Sequence, residues 1–470
     1  MEKSVGVETI SSKIKNLFLL NKTFWGSFLV LFSTYFVWWW AFFPGIMTSD
    51  SYDQWQEVIT FHFKNASPYI YAFIMSILRV FHDSPAPMAM FQILLFTTAI
   101  SLFINYASKK GVSKFLLMVT VLFFAVWPQF GIYNVSIWKD IMYSIMTLIM
   151  GLLFVLYFLD DKAKESRWLL VSLAAATAFV ALFRHNGLPF LLLPSLALAV
   201  FRTVNIKKAL TLFVLTLLVY FSFSSVLFNI LKVQSVPAMK DGLMIKNIGG
   251  IYHLANPNLT VQERQIFEKM STEKEWKTYY DCTSINAMVH SVMRHEGTGS
   301  YSPRLVKSDK DNAAWQAAFV SASLRNPMGF ITDRACQANN MLGILTMNNF
   351  RYADTSVRGA WHPVVNYDSK NPGLRETLRE YLRWTAETQR KSYIFWATWP
   401  MVIINLGAIA VALRKKLKGL GLYSLFILIN LAIVMAVAPA IDYRYIYFVY
   451  VCTPFIPIIY LLETKRRGNK

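Results

Sequence analysis

The sequence predicts an all-α polytopic membrane protein, and three observations carry that prediction. Of the 470 residues 55% are hydrophobic and 16% aromatic while only 16% are charged, a balance too apolar for a soluble enzyme of this size. The apolar residues fall in blocks near the length of about 20 that a helix needs to cross the hydrocarbon core. Lys and Arg concentrate in alternate connections between those blocks, as the positive-inside rule demands.

About ten blocks meet the length criterion: 24–43, 86–106, 115–133, 139–159, 168–183, 188–201, 209–231, 395–413, 420–439 and 443–462. The first has no small-residue cleavage site behind it and reads as a retained span, not a signal peptide. With both termini cytoplasmic, the inner segments 1–23, 107–114, 160–167, 202–208, 414–419 and 463–470 hold 21 Lys or Arg against 6 Asp or Glu. The short outer segments are nearly neutral, with 5 basic and 6 acidic residues. The net charge of +20 is therefore mostly a topology signal, and nucleic acid is excluded as a partner.

The chain divides accordingly into a transmembrane part at 1–231 with a first outer loop at 44–87, an extracytoplasmic domain at 232–394 inserted after the seventh span, and C-terminal transmembrane helices at 395–470. The domain reads as mostly helical: "DNAAWQAAFVSASLRNPMGFITDRACQANNMLG" carries apolar residues at helical spacing with a break at Asn326 and Pro327. The stretches "HEGTGSYSPR" and "NYDSKNPGLR" read as loops. Trp315 to Leu324 reads as an amphipathic helix lying on the membrane. Trp276, Tyr279, Tyr280 and the "WHP" at Trp361 to Pro363 offer faces for sugar rings, or are the buried aromatics of an ordinary folded domain. Cys282 and Cys336 share this domain, and a disulfide in an oxidising compartment and two separate buried thiols both fit them. No Cys/His spacing indicates zinc.

Function is carried by polar residues at the outer ends of spans. "AFFPGIMTSDSYDQWQ" places Asp50 and Asp53 just after the first span. "NVSIWKDIMYS" places Trp138, Lys139 and Asp140 at the start of the fourth, and "ALFRHNGLPF" places Arg184, His185 and Asn186 between the fifth and sixth. "APAIDYRYIYF" places Asp442, Tyr443 and Arg444 at the start of the last. Any one cluster reads equally as an interfacial anchor. Four on one face are harder to dismiss, because ionisable groups near hydrocarbon are costly, about 2.5 to 3.5 kcal/mol each at a helix centre, and are usually kept for a site or pathway. Lys139, Arg184, His185 and Arg444 beside carboxylates suit a reaction on a lipid-linked phosphate: the cations hold phosphate oxygens and stabilise the charge that builds on a leaving phosphate. Asp50 or Asp53 would take the proton of an attacking hydroxyl, and their closeness raises the basicity of one of them. As an alternative, one of the two caps the amphipathic run "SYDQWQEVITFHF".

These phrases resemble the GT-C superfamily of membrane glycosyltransferases, whose plan is a first span followed by an outer loop that opens on acidic residues and carries two interfacial helices. Here the loop would run from Asp50 to Pro87, with helices near 51–63 and 68–82. Within that group "PGIMTSDSYDQW", "SIWKD", "FRHNG" and "DYRY" are most similar to an uncharacterised bacterial family of about this length. The resemblance implies a bacterial cell-membrane enzyme with its active site extracytoplasmic, moving a sugar from a polyprenyl-phosphate donor to a cell-surface glycan, polymer or lipid acceptor. It implies Asp50 as the catalytic carboxylate with Asp53 as its substitute, and Lys139, Arg184, His185 and Arg444 around the donor phosphate. Trp138, Asp140, Asn186, Asp442 and Tyr443 would support them. Some members of the superfamily use a divalent metal and others do not, and the sequence leaves that open. In better-known members the outer domain follows the last span, whereas here it follows the seventh. The competing reading is a transporter or flippase of lipid-linked sugars, which would carry charges near the midplane on broken helices. Membrane acyl or phosphoethanolamine transferases rank behind, for want of a His-rich or metal-ligand pattern.

Overall fold

The structure is a computed structural model that describes residues 21–65, 67–234, 240–284, 309–345 and 369–468. The "HEGTGSYSPR" loop, the "WHP" triplet and the first residues of "NYDSKNPGLR" lie outside the described residues. Among the described residues the chain is all helix and connection, with three isolated bridges and no strand.

Among the described residues six helices are long and apolar enough to cross a membrane: Ala86–Lys109, Lys139–Leu159, Ile206–Ile230, Gln389–Lys415, Lys418–Val437 and Tyr443–Gly468. The chain is thus an all-α membrane protein. The other blocks of the sequence reading take different forms. Lys114–Val126 and Pro128–Asn134 together make one apolar element bent by 56°. The bend follows from Pro128, which has no N–H to give and pushes Trp127 into an extended conformation with ψ 131°. Arg167–Phe183 and His185–Val200 are apolar but shorter. Lys22–Ala41 has 20 residues and is capped by Asn21, whose side chain accepts from the Thr23 and Phe24 amides. Its three consecutive Trp and interspersed Ser, Thr and Tyr lower its mean hydropathy and keep it outside the six.

One core runs through these helices, built on residues such as Leu31, Tyr35, Phe96, Phe130, Ile141 and Phe448. Gly131 shows how tight it is: a Cβ there would stand 2.1 Å from the Trp38 ring, so only glycine lets the Pro128–Asn134 helix press onto the first one. At one end of the bundle the connections read as inner touch one another, through Lys110–Asp160 at 2.9 Å, Arg466–Asp161 at 2.5 Å, and Glu463 accepting from the Gly419 and Leu420 amides.

A second core holds Ile245, Tyr252, Phe267, Trp276, Trp315 and Ala322. Cys282 and Cys336 are disulfide-bonded beside it, which settles the choice the sequence left open. Trp276 is fully buried, stacks on Tyr252 at 6.0 Å and donates to the Phe267 carbonyl, so it is a core residue and no platform for sugars. Trp315 is likewise buried, packed edge-on against Phe267 at 5.4 Å, so the Trp315–Leu324 stretch does not lie flat on a membrane by that face; its exposed large apolar residues are Val320 and Leu324. The end of the inserted region belongs to the bundle: Tyr381 donates to the Val126 carbonyl and Ser369 to that of Ala41, both at 2.7 Å.

Candidate functional site

The site begins with a seam between two connections. Ile46 accepts from the Ile137 amide at 2.8 Å and donates to the Val135 carbonyl at 2.9 Å, laying 46–51 along 135–138. Thr48 caps the helix Ser49–Thr60 in a reciprocal box with Ser51. Ser51 then donates to the Ile137 carbonyl at 2.7 Å, and Trp138 donates its indole N–H to Thr48 Oγ1 at 2.8 Å. From behind, the buried Gln92 amide donates to the Asn134 and Ser136 carbonyls while accepting from Tyr71. This stitching fixes Asp50, in the first turn of one helix, beside Lys139 and Asp140, in the first turn of another. A carboxylate in the first helical turn is also favoured by the helix dipole. The cap of the amphipathic run is therefore Thr48, and neither Asp50 nor Asp53 is needed for it.

Arg184 ends the helix Arg167–Phe183 in an extended conformation, and the chain turns sharply into the 3-10 segment His185–Leu191. Gly187 permits the turn: a Cβ there would lie 2.5 Å from the Val180 carbonyl oxygen. Arg444 lies in a second 3-10 turn, Tyr443–Ile446, that Asp442 caps by accepting from the Arg444 amide at 3.1 Å.

Four parts of the sequence meet here. Arg444 Nη2 is 2.8 Å from Asp50 Oδ2, and its Nε is 2.9 Å from Asp442 Oδ2 and 3.7 Å from Asp140 Oδ2. Arg184 Nη1 is 2.5 Å from Asp140 Oδ1. Asp140 thus stands between two guanidinium groups with its side chain 2% exposed, whereas Asp50 is 43% exposed. Tyr445 lies between the same two arginines, 4.6 Å from Arg184 and 5.2 Å from Arg444, and the Trp138 ring lies 5.0 Å from Arg444. Lys139 donates to Ser67 Oγ at 2.8 Å and has Asp140, Asp50, Arg444 and Arg184 as charged neighbours.

Asp50, Trp138, Lys139, Asp140, Arg184, Asp442 and Arg444 are therefore brought together. His185 is exposed at the rim near Lys139 and Arg184, and half-buried Asn186 keeps an unpartnered amide nitrogen. Asp53 is exposed on the helix of Asp50 and is among the charged neighbours of Glu57. Tyr443 turns away from the charges: its hydroxyl donates to the Trp396 carbonyl and accepts from Thr398. Of the cations expected to face a phosphate, Arg184 and Arg444 are ion-paired with the carboxylates of Asp50, Asp140 and Asp442, while Lys139 bonds Ser67 with the same charges around it. Those carboxylates face guanidinium groups, and among the described residues no group of three His, Cys, Asp or Glu is arranged to hold a metal ion.

Sequence reasoning missed Glu57 and Tyr445. Glu57 is 8% exposed and burial pushes its carboxyl up to about 7, with Lys64 and Lys139 opposing and Asp53 adding to the shift. Its signal was present: it follows Asp50 by two helical turns and shares its face. Tyr445 was inside the quoted "DYRY".

The model of a family described as "Family of unknown function (DUF6020)" matches residues 70–470, and the chain belongs to that family. The matched region contains Lys139, Asp140, Arg184, Asp442 and Arg444, while Asp50, Asp53 and Glu57 precede it. No curated protein and no solved structure matches the chain.

Proposed function

We propose that this member of the DUF6020 family is a membrane glycosyltransferase of GT-C type. It would cross a bacterial cell membrane about ten times, with both termini cytoplasmic and the cluster on the outer face, and use a polyprenyl-phosphate sugar to glycosylate a cell-surface glycan, polymer or lipid. The supporting observation is the bridge from Arg444 to Asp50, with Arg184 and Arg444 sharing Asp140.

The chemistry follows from how unequally the carboxylates are held. Asp140 is enclosed and keeps the two guanidinium groups side by side. Asp50, more exposed, is the ligand of Arg444 that an entering phosphate can displace. Binding of the donor would then free a base where it is needed. The acceptor hydroxyl gives its proton to Asp50, its oxygen bonds to C1 of the sugar, and the C1–O bond to phosphate breaks. The electron pair leaves on polyprenyl phosphate, whose charge Arg444, Arg184 and Lys139 stabilise. Displacement from the opposite face inverts C1.

A transporter or flippase of lipid-linked sugars is the second reading, favoured by the bent Lys114–Val126 and Pro128–Asn134 pair and by the 3-10 breaks at His185 and Tyr443. Purified protein incubated with a panel of polyprenyl-phosphate sugars separates the two. A transferase releases free polyprenyl phosphate and consumes an acceptor; translocation in vesicles without release of lipid phosphate would replace the enzyme reading with the transporter.

A further inference from the structure

The turn that carries Asp442 and Arg444 is held from outside the bundle. The Ala438 carbonyl, at the end of helix Lys418–Val437, accepts from Arg334 Nη1 and from Gln337 Nε2, both at 2.9 Å. Three residues on, the Ile441 amide donates to the Thr283 carbonyl at 2.8 Å, within a short bridge of Ser284 to Ala440. The two grips come from separate parts of the inserted domain, helix Pro327–Leu342 and the stretch around Thr283, and the Cys282–Cys336 disulfide ties those parts together.

The gripping residues are themselves locked by buried polar contacts. Arg334 bonds Gln337 Oε1 at 2.8 Å and lies 2.7 Å from Asp333, whose other oxygen accepts from Tyr280 at 2.9 Å. Lys246 donates to the Cys282 carbonyl at 2.7 Å and stands 3.8 Å from Asp333. Lys246, Asp333 and Gln337 are essentially inaccessible. Apolar residues of similar volume would hold the domain together at least as well, because buried ion pairs are costly to desolvate. What such residues cannot do is donate two hydrogen bonds to one carbonyl at a chosen point.

We propose that Arg334 and Gln337 are positioning residues for the Asp442–Arg444 turn, with the Cys282–Cys336 bond closing the frame, so that the inserted domain sets the geometry of the charge cluster. Its catalytic consequence rests on the transferase reading; the clamp itself does not. An arginine that merely caps a helix end would stabilise the domain without governing Arg444.

The test uses the full chain in nanodiscs and two readouts. Hydrogen exchange is measured on peptides covering 438–446, with Lys139–Leu159 as the control, in Gln337→Ala and in the Cys282→Ser/Cys336→Ser pair. Gln337→Ala is preferred to Arg334→Ala, which leaves Asp333 with a single buried cation and endangers folding. The expected result is exchange in 438–446 at least tenfold faster with the control peptides unchanged. Turnover is expected to fall about tenfold with KM for the donor raised, since Arg444, the cation that takes the donor phosphate, loses its fixed position. Unchanged exchange in both variants overturns the clamp whatever the wild type transfers. Faster exchange with wild-type turnover and KM overturns the positioning role. Should the wild type release lipid phosphate from no donor, the transferase reading fails and the exchange result alone decides the clamp.

Discussion

Arg444 holds Asp50 at 2.8 Å, joining the helix after the opening span to the turn that begins the last one. The two side chains differ in what surrounds them, 11% exposed for the arginine and 43% for the aspartate. An arginine that buried keeps its position, and a carboxylate that exposed can exchange with another anion. The pair is thus one fixed cation with one replaceable partner, an arrangement that suits the proposed phosphate-binding role.

Asp50→Asn tests the base. Because the side chain is more than a third exposed, losing its charge should change stability by no more than about 1 kcal/mol. Sugar transfer should fall roughly 10²- to 10⁴-fold, with donor affinity retained or improved because Arg444 loses a competitor. Release of lipid phosphate at the wild-type rate would move the proton to Asp53, to Glu57 or to the substrate.

Asp140→Ala tests the scaffold, and its signature is different. Arg184 and Arg444 would keep their burial and lose the carboxylate between them, at a cost of about 3 to 5 kcal/mol. Thermal unfolding in detergent should show a large drop, partly recovered in Asp140→Ala/Arg184→Ala, where one stranded charge is gone. A single variant that melts like the wild type would mean Asp140 does not organise the cluster.

Arg444→Lys keeps the charge and removes the fork that reaches Asp50 and Asp442 at once. Loss of one charge-assisted bond, about 1.5 to 3 kcal/mol, corresponds to a donor Kd weaker by roughly ten- to a hundredfold. Binding of a fluorescent polyprenyl phosphate measures it directly. Equal affinity in the lysine variant would show that only net charge matters.

The meeting of "TSDSYD", "WKD", "FRHNG" and "DYRY" was legible because charge at a span end is expensive wherever it occurs, so its position alone carries information. The need for glycine in "FRHNG" was not legible in the same way, since the close approach of Gly187 to Val180 appears only in the packing. The pairing within the cluster was not legible either, because sequence gives the charges and not which oxygen each guanidinium meets. For Trp276 the sequence left a sugar platform and a core residue both open, and only packing separates these. The count of crossings was also blurred, because Pro128 bends an apolar block that hydropathy alone reads as continuous.

Glu57 supplies a pH dependence with a fixed sign. Burial raises its carboxyl in the folded protein to about 7, above the ordinary value of 4.5, with Asp53 adding to the shift and Lys64 and Lys139 working against it. The folded state therefore binds the proton more tightly than the unfolded chain. The stability this gives is fully present below about pH 4.5 and is lost as pH rises through about 7. Glu57→Gln stays neutral at every pH and mimics the protonated form. Its stability relative to the wild type should be near parity at pH 5 and should grow toward pH 8, by at most about 3 kcal/mol. Unfolding followed by tryptophan fluorescence at both pH values measures the gap. Asp53→Asn, which removes the like charge, should narrow it. A gap that is the same at pH 5 and pH 8 would mean that Glu57 is already ionised in its pocket, held there by Lys139 and Lys64.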